Sequence, residues 1–514
     1  MIPLRRCLRV CVCRLTVLAL ALAGGPLRAA APPTDPPQGR FDETWMAVML
    51  GGDQIGYAHM ESLREQDNIR STTDTVFRLS RAGTAVELRM TEGYTETLAG
   101  QPLAFNSEMV LGAGPIVRRG TIENGRIRVT TEQFGVQREQ ELDYPAGALM
   151  PWGAMLRQLQ HPLASGTVLD FPMFVPSLAL NVAVPTRTEI FEKERVKLLG
   201  VEQEAFRTRL TTTVNGVPVL TDGWIDEQWR PLKQTMKVMG LELEMVFCDK
   251  ATALRTLTAA EMFVNTLIPI GQPLERDNLR SVTFLLAVEP GGKMPDLPAT
   301  DMQEVVARTG HEVRVRVRLP DHSGLEAAGP SVPGPELAEF LSPTLFITSD
   351  DPQVRALARE AVGGETNPYR MADLLRRKVS ETVRTVGLGT AFATAAEVCR
   401  KREGDCTENG VLLAALGRAV GIPSRVVTGL IYVPALGDRH DLMGFHLWTQ
   451  YWIAGRWIDL DAAWDQTVCD PTHIALGTHS TQDDAIASLV SSVLLQVHEL
   501  KISVVESEAR AAKP

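Results

Sequence analysis

Cys406 is the residue of this sequence best placed to act as a nucleophile. It follows Gly404-Asp405 and precedes Thr407-Glu408. From Val411 to Val420 the chain is then apolar almost without interruption, until Gly421-Ile422-Pro423 ends the run. A helix that is apolar nearly all round is a central, buried one. Cys406 falls in its first turn, where unpaired backbone N–H groups and the positive end of the helix dipole favour a thiolate and could stabilise an oxyanion. Asp405 opposes part of that effect, so a cationic partner is needed, and a histidine suits. The plain alternative is a small buried core residue.

The histidine comes from a second constellation, Phe445-His446-Leu447-Trp448-Thr449-Gln450-Tyr451-Trp452-Ile453, then Ala454-Gly455, then Arg456-Trp457-Ile458-Asp459-Leu460-Asp461. This reads as a β-hairpin. If the loop is Ala454-Gly455, Ile453 pairs with Arg456, Asp461 falls opposite Trp448, and Asp461 is one diagonal step from His446 on the same face. Diagonal neighbours lie roughly 7–8 Å apart at the backbone, a gap an imidazole and a carboxylate can close with a hydrogen bond. Asp459 shares that face but lies opposite Gln450, farther from the histidine. A three-residue loop would slip the pairing by one and send Asp461 to the other face.

Other residues have competing readings. Cys406, Cys469, His440, His446, His473 and His479 could ligate a metal, but paired C-x-x-C or C-x-x-H ligands are lacking, so no metal site is expected. Cys399, seven residues before Cys406, could form an inhibitory disulfide, and core packing is the simpler reading. Tyr432, Trp448, Trp452 and Trp457 are strand aromatics that read as core or as the lining of a peptide groove, with Tyr432 and Trp448 the candidate substrate contacts. Arg425 is expected to hold the helix exit through a carboxylate.

Helices must position the cysteine. Asp351 caps a helix opening with Pro352 and carrying Val354, Leu357, Ala358 and Ala361 on one face, with Gly363-Gly364 as its stop. A second helix carries Met371, Leu374, Leu375, Val379 and Val383. A third starts at the capping box Thr394/Glu397, with Gly404 as its stop. Upstream, from about 42 to 250, alternation such as Leu88-Arg89-Met90 and Leu243-Glu244-Met245 predicts long antiparallel sheet with one face buried, and Asn124-Gly125 and Asn215-Gly216 predict tight hairpins. The organisation expected is a β-rich domain at 42–260, a small β-rich segment and linker at 261–330 interrupted by Glu289-Pro290-Gly291-Gly292, and a last domain at 335–506.

At 514 residues more than one core is expected. Arg5, Arg6, Arg9 and Arg14 before the apolar run Leu15–Ala23 mark residues 1–31 as a signal peptide, with an A-x-A pattern at Ala29 and Ala31. Export to a periplasm or the extracellular space is therefore expected, with no transmembrane helix after cleavage. Cleavage would remove five arginines and no acid, making the formal net charge of −10 more negative by five. Such acidity argues against a nucleic-acid partner. The four cysteines left, Cys248, Cys399, Cys406 and Cys469, are too widely spaced for a disulfide framework.

Gly404-Asp405-Cys406, Ala419-x-Gly421-Ile422-Pro423-x-Arg425, His446-x-Trp448 and Trp457-x-x-x-Asp461, in that order and over roughly Leu341 to Val505, resemble the core of the transglutaminase-like superfamily. The resemblance implies an α+β chain: a papain-like core at the C-terminus, preceded by the large antiparallel β-rich domain. It implies Cys406 as nucleophile, His446 as base and Asp461 as its orienting acid, acting on amide bonds of a protein or peptide by hydrolysis or amine transfer, with no cofactor. Gln450 departs from the family, which often carries glutamate there. The β region resembles accessory domains of bacterial envelope proteins only loosely, through Gly52-x-x-Ile55-Gly56-Tyr57 and Trp224-Ile225-Asp226. The rival reading is a non-catalytic envelope binding or assembly protein that keeps the papain-like domain as a scaffold.

Overall fold

The computed structural model describes residues 34–510 apart from 82–83, 111–114, 134–135, 215–216, 239–240, 258–259, 262–266, 289–293, 295, 328, 330–332, 385–392, 437 and 482–499. The expected signal peptide, the Asn215-Gly216 turn and the Glu289–Gly292 interruption lie outside the described residues. Chain contacts divide the protein into two compact units, one made of most of the chain up to Glu261 and the other of Met262–Pro514.

The first unit is antiparallel sheet, as the alternation predicts, and Leu88, Met90, Leu243 and Met245 are all buried. Its first long strand, Gly39–Leu50, pairs with its last, Leu241–Cys248, so that Trp45 faces Cys248 and Leu50 faces Leu243. From that seam hairpins run outward on both sides within a 15-stranded sheet, to Val136–Asp143 at one end and Val168–Met173 at the other. Asn124 and Gly125, with φ of 51° and 73°, make the expected tight turn, and Ile122 pairs with Ile127 beside it. A bridge between Leu149 and Met173 ties the chain just past one end of the sheet to the strand at the other. The helix Pro151–Gln158 starts on buried Glu96, whose carboxyl accepts from the N–H groups of Trp152 and Gly153, both at 2.8 Å. Burial outweighs those bonds and pushes the Glu96 pKa up to about 8.

The second unit holds two sheets and the predicted helices. Strands Gln303–Arg308, Glu312–Arg318, Leu279–Val288 and Leu500–Ala509 form one sheet in that order. Residues 279–318 are thus not a separate segment: Leu279–Val288 hydrogen-bonds to the far end of the chain, with Val282 facing Ser507 and Leu286 facing Ile502. Such long-range pairing leaves no local mark in a sequence.

The helices follow their capping signals. Pro352–Val362 is capped by Asp351, whose carboxylate accepts from Gln353 N and Val354 N, and Ala395–Lys401 is capped by Thr394. The latter ends on Arg402, in the left-handed conformation at φ 55°, rather than on Gly404. Cys406–Ala419 is buried along nearly its whole length. It packs on the second sheet, where Arg439–Ile453 lies between Ile268–Pro269 and Ser424–Leu436, with Ile474–His479 beyond. Thr449 Oγ1 donates to the Gly410 carbonyl at 2.8 Å and the Tyr451 hydroxyl to that of Leu413 at 2.5 Å. Among the described residues no helix is long and apolar enough to cross a membrane.

Candidate active site

The hairpin has the two-residue loop. Ala454 and Gly455 have φ of 51° and 81°, and Ile453 pairs with Arg456, Gln450 with Asp459 and Thr449 with Leu460. Asp461 therefore leaves the strand one step past Leu460, and its Oδ2 lies 2.7 Å from His446 Nε2. Both side chains are buried. Asp461 Oδ1 accepts from the N–H groups of Ala463 and Trp464 at 2.9 and 3.1 Å. Burial alone would push this carboxyl's pKa up. The charge and hydrogen bonds of the two histidines that face it, His446 and His473, outweigh burial and hold it below the usual carboxylate range.

Cys406 is the first residue of the central helix and is 2% exposed. Asp405 caps it by accepting from Thr407 N at 2.9 Å, while Glu408 reaches back to accept from Asp405 N at 2.9 Å. Asp405-x-x-Glu408 is the sequence signal of this capping box, which the sequence reading did not use. Burial, then the charge of Asp405, raises the Glu408 pKa well above the ordinary value. Gly410 meets Thr449 and Leu413 meets Tyr451, so helix and strand run in the same sense and the first helical turn lies toward the His446 end of the strand.

His473 adds what the sequence reading did not assign. Its Nε2 lies 3.2 Å from the same Asp461 Oδ2, and its Nδ1 3.0 Å from the Asp470 carbonyl oxygen. Asp470 in turn takes Arg276 on Oδ2, from Nε at 2.9 Å and Nη2 at 2.5 Å. The Arg276 guanidinium lies 3.9 Å from the centre of the Trp464 ring. Among the described residues, the ligand atoms of His446, Asp461 and His473 form a group within 4.8 Å of one another. The Nε2 atoms of His446 and His473 both face Asp461 Oδ2.

Residues 355–462 match the family model of the transglutaminase-like superfamily. This stretch is a transglutaminase-like domain. No curated protein sequence matches the chain. Among solved structures, similarity extends to a candidate cysteine protease from Cytophaga hutchinsonii, at 18% identity over 45% of this chain and 86% of that one, with a TM-score of 0.30. A β-barrel-like protein of a domain of unknown function from Brucella abortus is similar at 12% identity, over 42% of this chain and 98% of that one, with a TM-score of 0.33.

Within the transglutaminase-like domain Gln450 has a defined task. Its Oε1 accepts from Arg425 Nε at 2.8 Å, and its Nε2 donates to Asp459 Oδ1 at 2.9 Å. An amide alone offers an acceptor to one side and a donor to the other, so glutamine fits beside Asp459 where glutamate would set two carboxylates together. Arg425 thus reaches the carboxylate expected at the helix exit only through Gln450, and its guanidinium lies 4.1 Å from the centre of the Trp457 ring.

The two expected groove residues are internal supports. Trp448 is 2% exposed and donates to Asp459 Oδ1 at 2.7 Å. Tyr432 is equally buried, accepting from Leu274 N at 3.1 Å and donating to Asp441 Oδ1 at 2.6 Å. No disulfide joins the four described cysteines. Burial pushes the Cys248 thiol up to about 11 and raises Cys399, and burial with the nearby carboxylates raises Cys469 well above its ordinary value.

Proposed function

We propose that the transglutaminase-like domain is a thiol enzyme acting on amide bonds of a protein or peptide, with Cys406 as nucleophile, His446 as base and Asp461 as the acid that orients it. The observation that carries this reading is the buried 2.7 Å hydrogen bond between His446 Nε2 and Asp461 Oδ2. It leaves Nδ1 as the nitrogen for the thiol proton. The leader-like residues 1–31 support placing this chemistry outside the cytoplasm.

In the reaction, His446 takes the Cys406 proton and the thiolate attacks the amide carbonyl carbon. As the tetrahedral adduct collapses the C–N bond breaks, and His446 gives its proton to the leaving amine, leaving a thioester on Cys406. Water or a second amine then attacks that carbonyl, His446 taking its proton and returning it to sulfur as the S–C bond breaks. Water gives hydrolysis and an amine gives transfer, according to how far the site excludes water.

A second reading, a scaffold that binds without catalysis, draws on the burial of Cys406. Intact mass after iodoacetamide treatment near neutral pH separates the two. Fast labelling at one site, lost in Cys406→Ala and slowed in His446→Ala, is the result expected of the enzyme. A thiol that labels no faster than free cysteine, indifferent to His446→Ala, would establish the scaffold.

A further inference from the structure

Both ring nitrogens of His473 face acceptors. Nδ1 meets the carbonyl oxygen of Asp470 at 3.0 Å, with Asp470 Oδ1 at 3.6 Å, and Nε2 meets Asp461 Oδ2 at 3.2 Å. A carbonyl and an ionised carboxylate offer no proton, so both nitrogens must donate, and a histidine donating from both is an imidazolium. The ring is buried. The groups around it keep its charge in balance. Asp461, Asp459 and Asp470 are the acids around it, the buried Cys469 thiol has its pKa raised by burial and by the charges of the same three acids, His446 has its ring centre 5.9 Å away, and Arg276 pairs with Asp470.

We propose that His473 is a positioning residue: a resident imidazolium that shares Asp461 Oδ2 with His446, so that Asp461 fixes the His446 ring without holding on to the proton His446 must pass to the leaving amine. This rests on the triad reading given above and extends it to residues outside the matched stretch 355–462, since Arg276, Asp470 and His473 all lie beyond it. Charges alternate along the buried line, from Asp461 through His473 and Asp470 to Arg276. The line is therefore neutral as a whole, and the Cys406–His446 pair cycles beside it without adding net charge. A His473 pKa raised to about 9, by its bonds to Asp461 and Asp470 against the opposing effect of burial, agrees with the geometry.

The experiment uses the full chain labelled with 15N-histidine, together with alkylation of Cys406 by iodoacetamide from pH 5 to 10. The imidazole signal that is lost in His473→Gln should show protons on both nitrogens at pH 7 and lose one near pH 9. The alkylation rate of the wild type should bend at that pH. His473→Gln should lose the bend and change the neutral-pH rate by about tenfold or more. Asp470→Asn should move the bend down by about one pH unit, because it removes a charge that favours the imidazolium. A merely structural residue would not shift that bend. The proposal is overturned if no imidazole stays doubly protonated above pH 8, a result that needs no variant to fold. It is also overturned if His473→Gln matches the wild type while Cys406 still labels fast, and then the triad stands. Slow labelling of the wild type, unaffected by His446→Ala, sinks both readings together.

Discussion

Asp461 Oδ2 is shared: His446 reaches it at 2.7 Å and His473 at 3.2 Å. On the proposed mechanism, one carboxylate serves a residue that changes protonation during the reaction and a residue that keeps its proton. Removing it should be felt twice. Asp461→Ala leaves a buried imidazolium without its counter-ion, which for a broken buried pair costs about 3–5 kcal/mol. It also frees the His446 ring, and the alkylation rate of Cys406 should fall by about tenfold or more. Denaturant unfolding and the rate of mass labelling measure the two effects separately. An unchanged labelling rate in a folded variant would remove Asp461 from the triad.

Gln450 supplies a prediction that runs against its family. Gln450→Glu places a carboxylate beside Asp459, whose pKa burial already raises. The variant should lose about 1–3 kcal/mol through the broken Nε2–Oδ1 bond and the new like-charge contact. Both acids have reason to sit above their unfolded pKa values, so the loss should be present at neutral pH and shrink as the pH falls. Asp459→Asn in the same background should recover part of it. A double variant no more stable than Gln450→Glu alone would show that the two carboxylates do not interact.

The sequence could place Asp461 because Ala454-Gly455 is a local signal. Positive φ at two consecutive residues makes a two-residue loop, and a two-residue loop fixes the register of everything after it. The central helix was legible for a similar reason, its apolar circumference admitting only a buried position. His473 was not legible as a partner of Asp461. It reaches that acid from beyond a turn, where no periodicity links the two, although Asp470 three residues before a histidine was a usable hint. Arg276 gave no hint, because its contact with Asp470 spans 194 residues of chain. The stop of the third helix was misassigned because Gly404 is the better left-handed residue by type, yet Arg402 takes that conformation where the helix ends.

Gly429 tests how closely the two strands beside the site must approach. A β-carbon there would lie 2.1 Å from the carbonyl oxygen of Ile474 and 2.6 Å from the Trp448 ring. The first of these is backbone and cannot swing aside. Gly429→Ala should cost about 1–3 kcal/mol. It should also displace Ile474, the residue after His473, and so lower the labelling rate of Cys406. Thermal unfolding and labelling check this together, and a variant with wild-type stability would contradict the packing described for this seam.

The network also sets a pH window for stability. His473 holds its proton in the folded protein up to about pH 9, whereas its ordinary pKa is 6.5. Because the folded pKa is the higher one, its contribution is fully present below about 6.5 and is lost as the pH rises through 9. Asp461 and Asp470 run the other way. Their folded pKa values lie below the ordinary 3.8, so their contribution is present above that value and is lost as the pH falls through the folded pKa values. The three groups together should stabilise the fold most between about pH 4 and 6.5. Glu96, in the other unit and raised to about 8, also titrates on the alkaline side, so the wild type alone cannot isolate the effect. The difference between wild type and His473→Gln can, because Glu96 is common to both. That difference, measured by denaturant unfolding at pH 6, 8 and 10, should be largest at pH 6 and shrink toward pH 10; a constant difference would mean that His473 is not charged in the folded state.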